Sequence, residues 1–317
     1  MKKIVIFGGG SGLSQLLKGI KLFPLEVTAV VSVADNGGST GLLRRELNIP
    51  AVGDITKVML SMSEASSDVI DLMNYRFTKP KSLKVHSVKN LLLMALLDIK
   101  GDFASAMPIM EDLLDVKGKI LPLTEDNVNL VGITASGKKI VGEEQLTKCA
   151  SKIVKVEYDK KITVNPKVLK AVVNADLIIF SSGSLLTSIV PHLIDKTLVD
   201  AINNAKADVM YICNLFTQPG ETDNFTVKDH IDYLEKYLGK NAIDVVIANN
   251  AVMSNKLVAK YATEEQKDQI VYKNELDDRG VYVIADKMYT IEDGFYRHDA
   301  LKTGYLIFSY LMDGRKK

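Results

Sequence analysis

The hydrophobic positions of the chain fall into runs that alternate between a strand pattern and a helix pattern. Residues 2 to 7 are almost entirely apolar after two lysines, which is typical of a strand buried on both faces of a parallel sheet. Residues 11 to 20 place their leucines and Ile20 on one stripe, as an amphipathic helix does. Residues 27 to 33 form the next β-branched run. These segments predict a β-α-β unit with glycines at its first turn.

The same pattern returns in the second half of the chain. Three further apolar runs, at residues 175 to 180, 208 to 214 and 243 to 250, each end in a polar loop that contains glycine or asparagine. Ligands of open α/β sheets bind outside the carboxyl ends of the strands. We therefore expect these loops to line one crevice.

Two segments interrupt the alternation. Residues 54 to 115 have the pattern of helices, the last two at 87 to 99 and 102 to 115. Residues 118 to 158 contain a β-hairpin that turns on a Ser-Gly pair. No internal repeat and no linker rich in proline or glycine divides the sequence. The chain is therefore predicted to be one α/β domain over residues 1 to 317, with a Rossmann-like, doubly wound, mostly parallel sheet, a helical insertion and a β-hairpin embellishment.

Composition removes several classes of function. The chain has 40 Lys and Arg against 39 Asp and Glu, a formal net charge of +1, so no basic field favours nucleic acid or an anionic membrane surface. Cys149 and Cys213 form no C-x-x-C pair, and neither a disulfide framework nor a zinc site is predicted. The apolar runs are too short for a membrane span, and glycines interrupt the first one before a signal peptide would end. We expect a cytoplasmic protein.

Two glycine-rich turns stand close together near the amino terminus. The first carries four glycines and a serine between a strand and a helix: Gly8, Gly9, Gly10, Ser11 and Gly12. Backbone N–H groups and the helix dipole favour a phosphate at such a turn. The dinucleotide fingerprint is incomplete, because Leu13 stands at its third glycine position and no Walker lysine follows. A tight strand-to-helix turn without a ligand is the alternative.

The second turn follows the next predicted strand and consists of Asp35, Asn36, Gly37, Gly38 and Ser39. A carboxylate flanked by backbone amides suits a phosphate, a sugar hydroxyl or hydrated magnesium, and an ordinary turn is the alternative. Asp54 precedes a predicted helix and is expected to be its N-cap. If Asp35 and Asp54 both face the crevice, they are instead candidate ligands of a shared magnesium ion, the one cofactor that these residues suggest.

Further candidate ligand contacts follow later strands or lie near the carboxyl terminus: Gly183, Ser184 and Thr187; Asn214, Thr217 and Gln218; and Arg297. The first group stands at a helix start, where a phosphate or sugar contact and an ordinary serine cap are equally open. The second group is a candidate for a base or sugar edge. Arg297 offers a guanidinium for phosphate or uracil, with a plain surface arginine as the alternative.

Several stretches, taken in order, resemble the YvcK/CofD-like family. They are GGGSGLSQLLKGIK, VSVADNGGSTGLLRRE, PAVGD, HSVKNLLLMALL, GDFASA, ADLIIFSSGSLLTSIVP, CNLFTQPGETDNFTVKDH and YRHDALK. The match runs along nearly the whole chain and resembles the gluconeogenesis factor branch more closely than the phospholactate transferase branch. Some motif positions differ from the family pattern, notably Ser181-Ser182, Thr56-Lys57, and Val85 with Lys89. The chain therefore resembles a divergent member.

The resemblance implies a UDP-N-acetylglucosamine-like ligand across the strand ends, with Tyr261 and Arg297 as further contacts beside the glycine turns. It implies a nucleotide-sugar-binding regulator linked to gluconeogenic growth, cell-envelope precursor synthesis and cell shape. A regulated enzyme of envelope synthesis is the implied partner, and the implied assembly is a homodimer. In the transferase branch the residues that match Asp35 and Asp54 are metal ligands. A magnesium-dependent nucleotidyl- or phospho-transferase is therefore the alternative function.

Overall fold

The structure is a computed structural model that describes residues 1–47, 51–79, 83–84, 86–149, 151–265, 267–276 and 278–313. Its strands are β1 (Lys2–Gly8), β2 (Leu25–Val31), β3 (Lys119–Pro122), β4 (Leu130–Thr134), β5 (Lys139–Val141), β6 (Ile153–Tyr158), β7 (Leu177–Phe180), β8 (Asp208–Ile212), β9 (Val245–Asn249), β10 (Tyr282–Asp286), β11 (Tyr289–Glu292) and β12 (Phe295–His298).

Its helices are α1 (Gly10–Ile20), α2 (Gly38–Leu47), α3 (Gly53–Met62), α4 (Ser67–Asn74), α5 (Val88–Lys100), α6 (Phe103–Leu113), α7 (Glu143–Thr147), α8 (Pro166–Val173), α9 (Lys196–Asn203), α10 (Val227–Leu238), α11 (Asn255–Glu264) and α12 (Ala300–Met312). A π-helical turn (Leu185–Ile189) and a 3-10 turn (Val190–Leu193) follow β7. Within the described ranges, no helix has the length and apolar character that crossing a membrane requires.

Seven strands form the central sheet, in the order β3-β2-β1-β7-β8-β9-β10, and every neighbouring pair is parallel. The strand order reverses between β1 and β7, because the chain first builds outward to β3 and later restarts at β7. Such a doubly wound sheet opens a crevice outside the carboxyl ends of its two central strands. The predicted α/β class with a Rossmann-like parallel sheet is confirmed.

Helices cover both faces of the sheet. Val5 and Phe7 of β1 belong to the core that includes residues of α8, α9 and α10, whereas Ile4 and Ile6 belong to the core that includes residues of α1, α3, α5 and α6. Successive side chains of a strand point to opposite faces, so a strand covered on both faces needs an unbroken apolar run. Because β1 contributes side chains to both cores, apolar and polar residues do not alternate along the amino-terminal run.

The insertions are richer than the sequence pattern indicated. Residues 54 to 115 contain most of α3 and all of α4, α5 and α6. The predicted hairpin is formed by β4 and β5, but β6 pairs with the other edge of β4 and makes a three-stranded antiparallel sheet. β3, at the start of the predicted hairpin region, belongs instead to the central sheet, where it pairs in parallel with β2.

Candidate functional site

A cleft of about 360 Å³ opens at the carboxyl ends of β1, β7 and β8. Nine residues that the sequence indicated as ligand contacts line it: Ser11, Gly12, Gly183, Ser184, Asn214, Thr217, Gln218, Tyr261 and Arg297. They come from the start of α1, from the segments that follow β7 and β8, from α11 and from β12, which are distant in sequence. The fold therefore gathers these residues at the crevice that the strand order predicts, while ligand binding by them stays a prediction.

The first glycine turn is shaped for close approach of the backbone. Gly10 has a φ of +55°, in the left-handed region that glycine adopts without a side-chain clash. A Cβ atom at Gly12 would overlap the carbonyl oxygen of Ser182. The first turn of α1 therefore packs directly against the loop that follows β7, and both glycines are required by this geometry.

The anion that contacts this turn is a side chain of the protein itself. The N–H of Gly10 donates to Oδ2 of Asp54 over 3.0 Å. The prediction that Asp54 caps its helix is wrong, because Val52 is the N-cap of α3 and Asp54 lies in the first turn. The first turn of α3 therefore directs this carboxylate to the glycine turn, at the crevice.

Asp35 and Asp54 lie close enough to interact electrostatically. A Cβ atom at Gly53 would lie 3.2 Å from Oδ2 of Asp35. The pKa of Asp54 is raised from 3.8 to about 6, mainly by burial and secondly by the negative charge of Asp35. Lys57 and the Gly10 N–H lower this pKa, but their effects are smaller. In the described part of the chain, no group of three or more His, Cys, Asp or Glu side chains is arranged to hold a metal ion. A magnesium ion at this pair would take its other oxygen ligands from water or a phosphate.

Glu143 is a carboxylate that the sequence patterns did not single out. It begins α7, beside the small antiparallel sheet. Burial raises its pKa well above the usual range, and the carboxylates of Asp54 and Asp35 raise it further, whereas a hydrogen bond from Thr187 opposes the rise. The insertion thus adds a third carboxyl group beside Asp54 and Asp35, and its surroundings favour the neutral acid. No motif marks Glu143, since its role depends on how the insertion packs.

The second glycine turn is joined to neighbouring elements by hydrogen bonds. Oδ1 of Asn36 accepts the backbone N–H of Glu144 over 3.0 Å, which connects the turn to α7. Gly38 begins α2, and Oγ of Ser39 lies 2.9 Å from Nδ1 of His86. Asn36 and Ser39, predicted as ligand contacts, therefore have protein partners in this structure.

The carboxylate of Glu221, from the loop after β8, contacts the start of the helical turn that follows β7. The N–H of Leu186 donates to Oε1 of Glu221 over 2.8 Å, and the Ser184 hydroxyl donates to Oε2 over 2.9 Å. Burial raises the pKa of Glu221 to about 7. The backbone N–H of Thr187 also donates to the Ser184 hydroxyl, over 3.1 Å. Both helix starts predicted as phosphate sites thus contact a carboxylate of the protein.

Asn214 joins the ends of two central strands. Its side-chain oxygen accepts the N–H of Gly183 over 2.9 Å, and its amide donates to the Gly183 carbonyl over 2.7 Å. The amide is therefore engaged with the backbone and shapes the cleft wall. Thr217 likewise accepts the N–H of Asp268 over 2.9 Å. Gln218 also lines the cleft. Its backbone N–H donates to Thr222, whereas its side-chain amide has no hydrogen bond to a described residue.

One wall of the cleft is aromatic. Phe216 stacks on Tyr261, with ring centroids 4.5 Å apart and an interplanar angle of 13°. The Tyr261 hydroxyl accepts the N–H of Tyr296 over 3.1 Å, which fixes the ring against β12. Arg297 is exposed on the same strand, 5.4 Å from the ring centroid of Phe295. A flat apolar surface beside a guanidinium suits a nucleobase and a phosphate.

Two histidines, the buried His192 and the partly buried His298, connect elements around the cleft. Nε2 of His298 lies 3.0 Å from the carbonyl oxygen of Cys213, and Nε2 of His192 lies 3.1 Å from that of Gly8. Burial lowers the pKa of each imidazole to about 4. Both rings are therefore neutral at pH 7, and each donates its Nε2–H to the carbonyl. They contribute no cation to the site.

A larger groove, of about 790 Å³, lies at the other end of the sheet. Lys3, Glu26 and Lys119, near the starts of β1, β2 and β3, line it together with α6 and the start of α8. It contains neither glycine turn. Because ligands of this fold bind at the carboxyl ends of the strands, the smaller cleft is the candidate site.

Comparison with known proteins agrees with the geometry. A family model described as 2-phospho-L-lactate transferase CofD matches residues 4–289. The gluconeogenesis factor of Bacillus subtilis is 38% identical over 312 residues, 98% of each chain. That of Halalkalibacterium halodurans is 38% identical over 307 residues, which cover 96% of this chain and 95% of the relative. A crystal structure from Bacillus halodurans superposes with a TM-score of 0.93 at 37% identity, covering 97% of this chain and 99% of that one.

Proposed function

The chain belongs to the CofD family together with the bacterial gluconeogenesis factors, and from this premise we propose that its cleft binds a nucleotide sugar of the UDP-N-acetylglucosamine class. The protein acts in the cytoplasm as a regulator of gluconeogenic growth, envelope-precursor synthesis and cell shape. It reports the level of the sugar nucleotide to an enzyme of envelope synthesis and works as a homodimer.

The composition of the cleft wall carries this proposal. The volume of about 360 Å³ lies within the roughly 300–1,000 Å³ of small-molecule sites. The Phe216 and Tyr261 rings offer a stacking surface for uracil, and Arg297 offers a cation for a diphosphate. Ser11 and Gly12, in the first turn of α1, offer backbone N–H groups that a sugar nucleotide can approach closely.

Calorimetric titration with UDP-N-acetylglucosamine, with and without Mg²⁺, tests the proposal. Arg297→Gln removes an exposed cation of the cleft and should weaken binding by about tenfold, because hydrogen bonds to charged groups contribute roughly 1.5–3 kcal/mol. Lys287→Gln is the matched control, since Lys287 is an exposed cation just before β11 and does not line the cleft. A protein that is folded by circular dichroism and binds no sugar nucleotide refutes the function.

The facing aspartates favour a second candidate, a magnesium-dependent nucleotidyl- or phospho-transferase. Asp35 interacts electrostatically with Asp54, which contacts the glycine turn. Such a pair can hold a cation that neutralises charge developing on a diphosphate. Incubation with UTP or GTP, Mg²⁺ and a sugar phosphate or phospholactate should then release pyrophosphate. Asp35→Asn should abolish release while nucleotide binding persists, and absence of product with every pairing contradicts this candidate.

A further inference from the structure

Three cations of the helical insertion lie near one another, and one of them, Lys57, contacts the first glycine turn. Lys57 lies in the first half of α3, Lys89 is the second residue of α5, and Arg76 follows α4. The positive charges of Arg76 and Lys57 both act on Lys89. The Lys57 ammonium donates to Oγ of Ser11 over 2.6 Å, and Ser11 lines the cleft. The cluster therefore borders the cleft directly.

One side-chain hydrogen bond and one backbone bridge connect the segments that carry these cations. Thr56, the residue before Lys57, donates its hydroxyl to Oδ1 of Asn90, the residue after Lys89, over 2.8 Å. Arg76 forms an isolated antiparallel bridge with Ser87, immediately before α5. The three side chains therefore start from neighbouring points on α3, α5 and the segment after α4, and their proximity is built into the packing of these elements.

The two lysines have neutral partners. Nζ of Lys89 donates to Oδ1 of Asn74 over 2.7 Å, and Lys57 donates to the Ser11 hydroxyl. Counting only residues that the structure describes, neither ammonium lies within 4.0 Å of a carboxylate oxygen. Burial, then Arg76 and Lys57, lower the pKa of Lys89 to about 8. The charges of Lys57 and Lys89 therefore lie near each other with neutral hydrogen-bond partners, and a bound anion would offset their repulsion.

The start of α5 adds to the positive potential. Ser87 is its N-cap, its side chain makes no capping hydrogen bond, and its Oγ is buried without a described partner. The first turn of α5 carries no acidic residue. The positive end of the helix dipole thus lies beside Lys89 without a compensating carboxylate in that turn.

We propose that Lys57, Arg76 and Lys89 form an anion subsite for the phosphate monoester group of a second ligand that meets the nucleotide sugar at the first glycine turn. The inference rests on the proposed function only in placing the nucleotide sugar in the cleft. A phosphate dianion would balance the charges of the two ammonium groups, and it would accept hydrogen bonds from them and from the neighbouring guanidinium. Contact between Lys57 and Ser11 places this group next to the first ligand.

Titration of the full-length protein with inorganic phosphate at pH 7, without any nucleotide sugar, tests the subsite. Lys57→Gln and Lys89→Gln should each weaken phosphate binding by about tenfold, as the loss of one charge-assisted contact does. Lys100→Gln is the matched control, because Lys100 ends the same helix and is exposed. Equal phosphate affinity in Lys89→Gln and Lys100→Gln overturns the proposal.

Lys89→Arg supplies a readout that a merely structural lysine would not give. Sulfate keeps its charge across the relevant pH range, so its affinity should fall as pH rises through about 8 in the unmodified protein. The fall should vanish in Lys89→Arg, because arginine stays protonated. A pH profile that is identical in both proteins overturns the subsite. Phosphate binding that depends on Lys89, without UDP-sugar binding, refutes the proposed function alone, and the converse result refutes the subsite alone.

Discussion

Replacing Asp54 by Asn should stabilise the protein at neutral pH. Asn keeps an oxygen that can accept the Gly10 N–H, whereas the buried charge beside Asp35 disappears. The pKa rise of Asp54 from 3.8 to about 6 corresponds to about 3 kcal/mol, at 1.36 kcal/mol per pKa unit. This is an upper bound for the gain, because relaxation and water screen the charge in part.

The sign of the pH dependence follows from the raised pKa. A carboxyl whose pKa is higher in the folded than in the unfolded state stabilises the fold at low pH, and this contribution is lost as pH rises through about 6. Asp54→Asn should therefore exceed the unmodified protein in unfolding free energy by at most about 3 kcal/mol at pH 8, and the difference should shrink steadily towards pH 4.

Urea denaturation followed by circular dichroism at pH 4, 6 and 8 measures this difference. Asp71→Asn is the control, because Asp71 is exposed on α4, and it should change the unfolding free energy by less than about 0.5 kcal/mol. Equal stability of Asp54→Asn and the unmodified protein at pH 8 would falsify the assignment of a buried, repelled charge to this position. So would a gain that does not vary with pH.

Three further changes probe the site. Phe216→Ala should weaken UDP-N-acetylglucosamine binding by about tenfold in calorimetry, because base–aromatic stacking contributes roughly 1–3 kcal/mol. Tyr305→Ala, at an exposed tyrosine, should leave the affinity unchanged, and equal affinities of the two variants contradict stacking on Phe216. Gly12→Ala should lower the unfolding free energy by roughly 1–3 kcal/mol, because the added Cβ would overlap the Ser182 carbonyl oxygen. Gly37→Ala adds only an ordinary contact and should lower the unfolding free energy less, and similar losses argue against close packing of Gly12 on Ser182. Asn36→Ala should speed hydrogen exchange at the Glu144 amide, a bond worth about 1 kcal/mol, and unchanged exchange refutes that contact.

The central sheet could be predicted because its strands are buried on both faces. β1 coincides with the apolar run near the amino terminus. β7, β8 and β9 each lie within one of the three apolar runs that predict strands in the second half of the chain. β10 escaped prediction because it is an edge strand of the sheet, with no fully buried residue. β11 and β12 also lie largely outside the cores, although β12 carries Arg297 to the cleft. Periodicity detects burial, so it finds weakly buried strands poorly.

The candidate site could be predicted as a set of loops but not as a set of contacts. The carboxyl ends of parallel strands lie at the same edge of the sheet, so the loops that follow β1, β7 and β8 are expected to lie close together. The partners of individual side chains depend on tertiary placement. Asp54 reaches Gly10 across 44 positions, and Glu221 reaches Leu186 across 35. No local spacing rule covers such distances, which is why Asp54 was expected to cap its own helix.

The internal carboxylates change what the glycine turns must do when a ligand arrives. A helix start attracts any anion, and in this structure the carboxylates of Asp54 and Glu221 lie at the two helix starts. A diphosphate that replaces or joins them must meet those charges in neutral form or with a cation between. With pKa values of about 6 and about 7, protonation at pH 7 costs about 1.4 kcal/mol for Asp54 and less for Glu221. Under the proposed binding function, proton uptake by these two carboxyl groups would reduce the repulsion of a diphosphate, whereas under the proposed transferase function a cation held by Asp35 and Asp54 would also stabilise charge that develops during reaction.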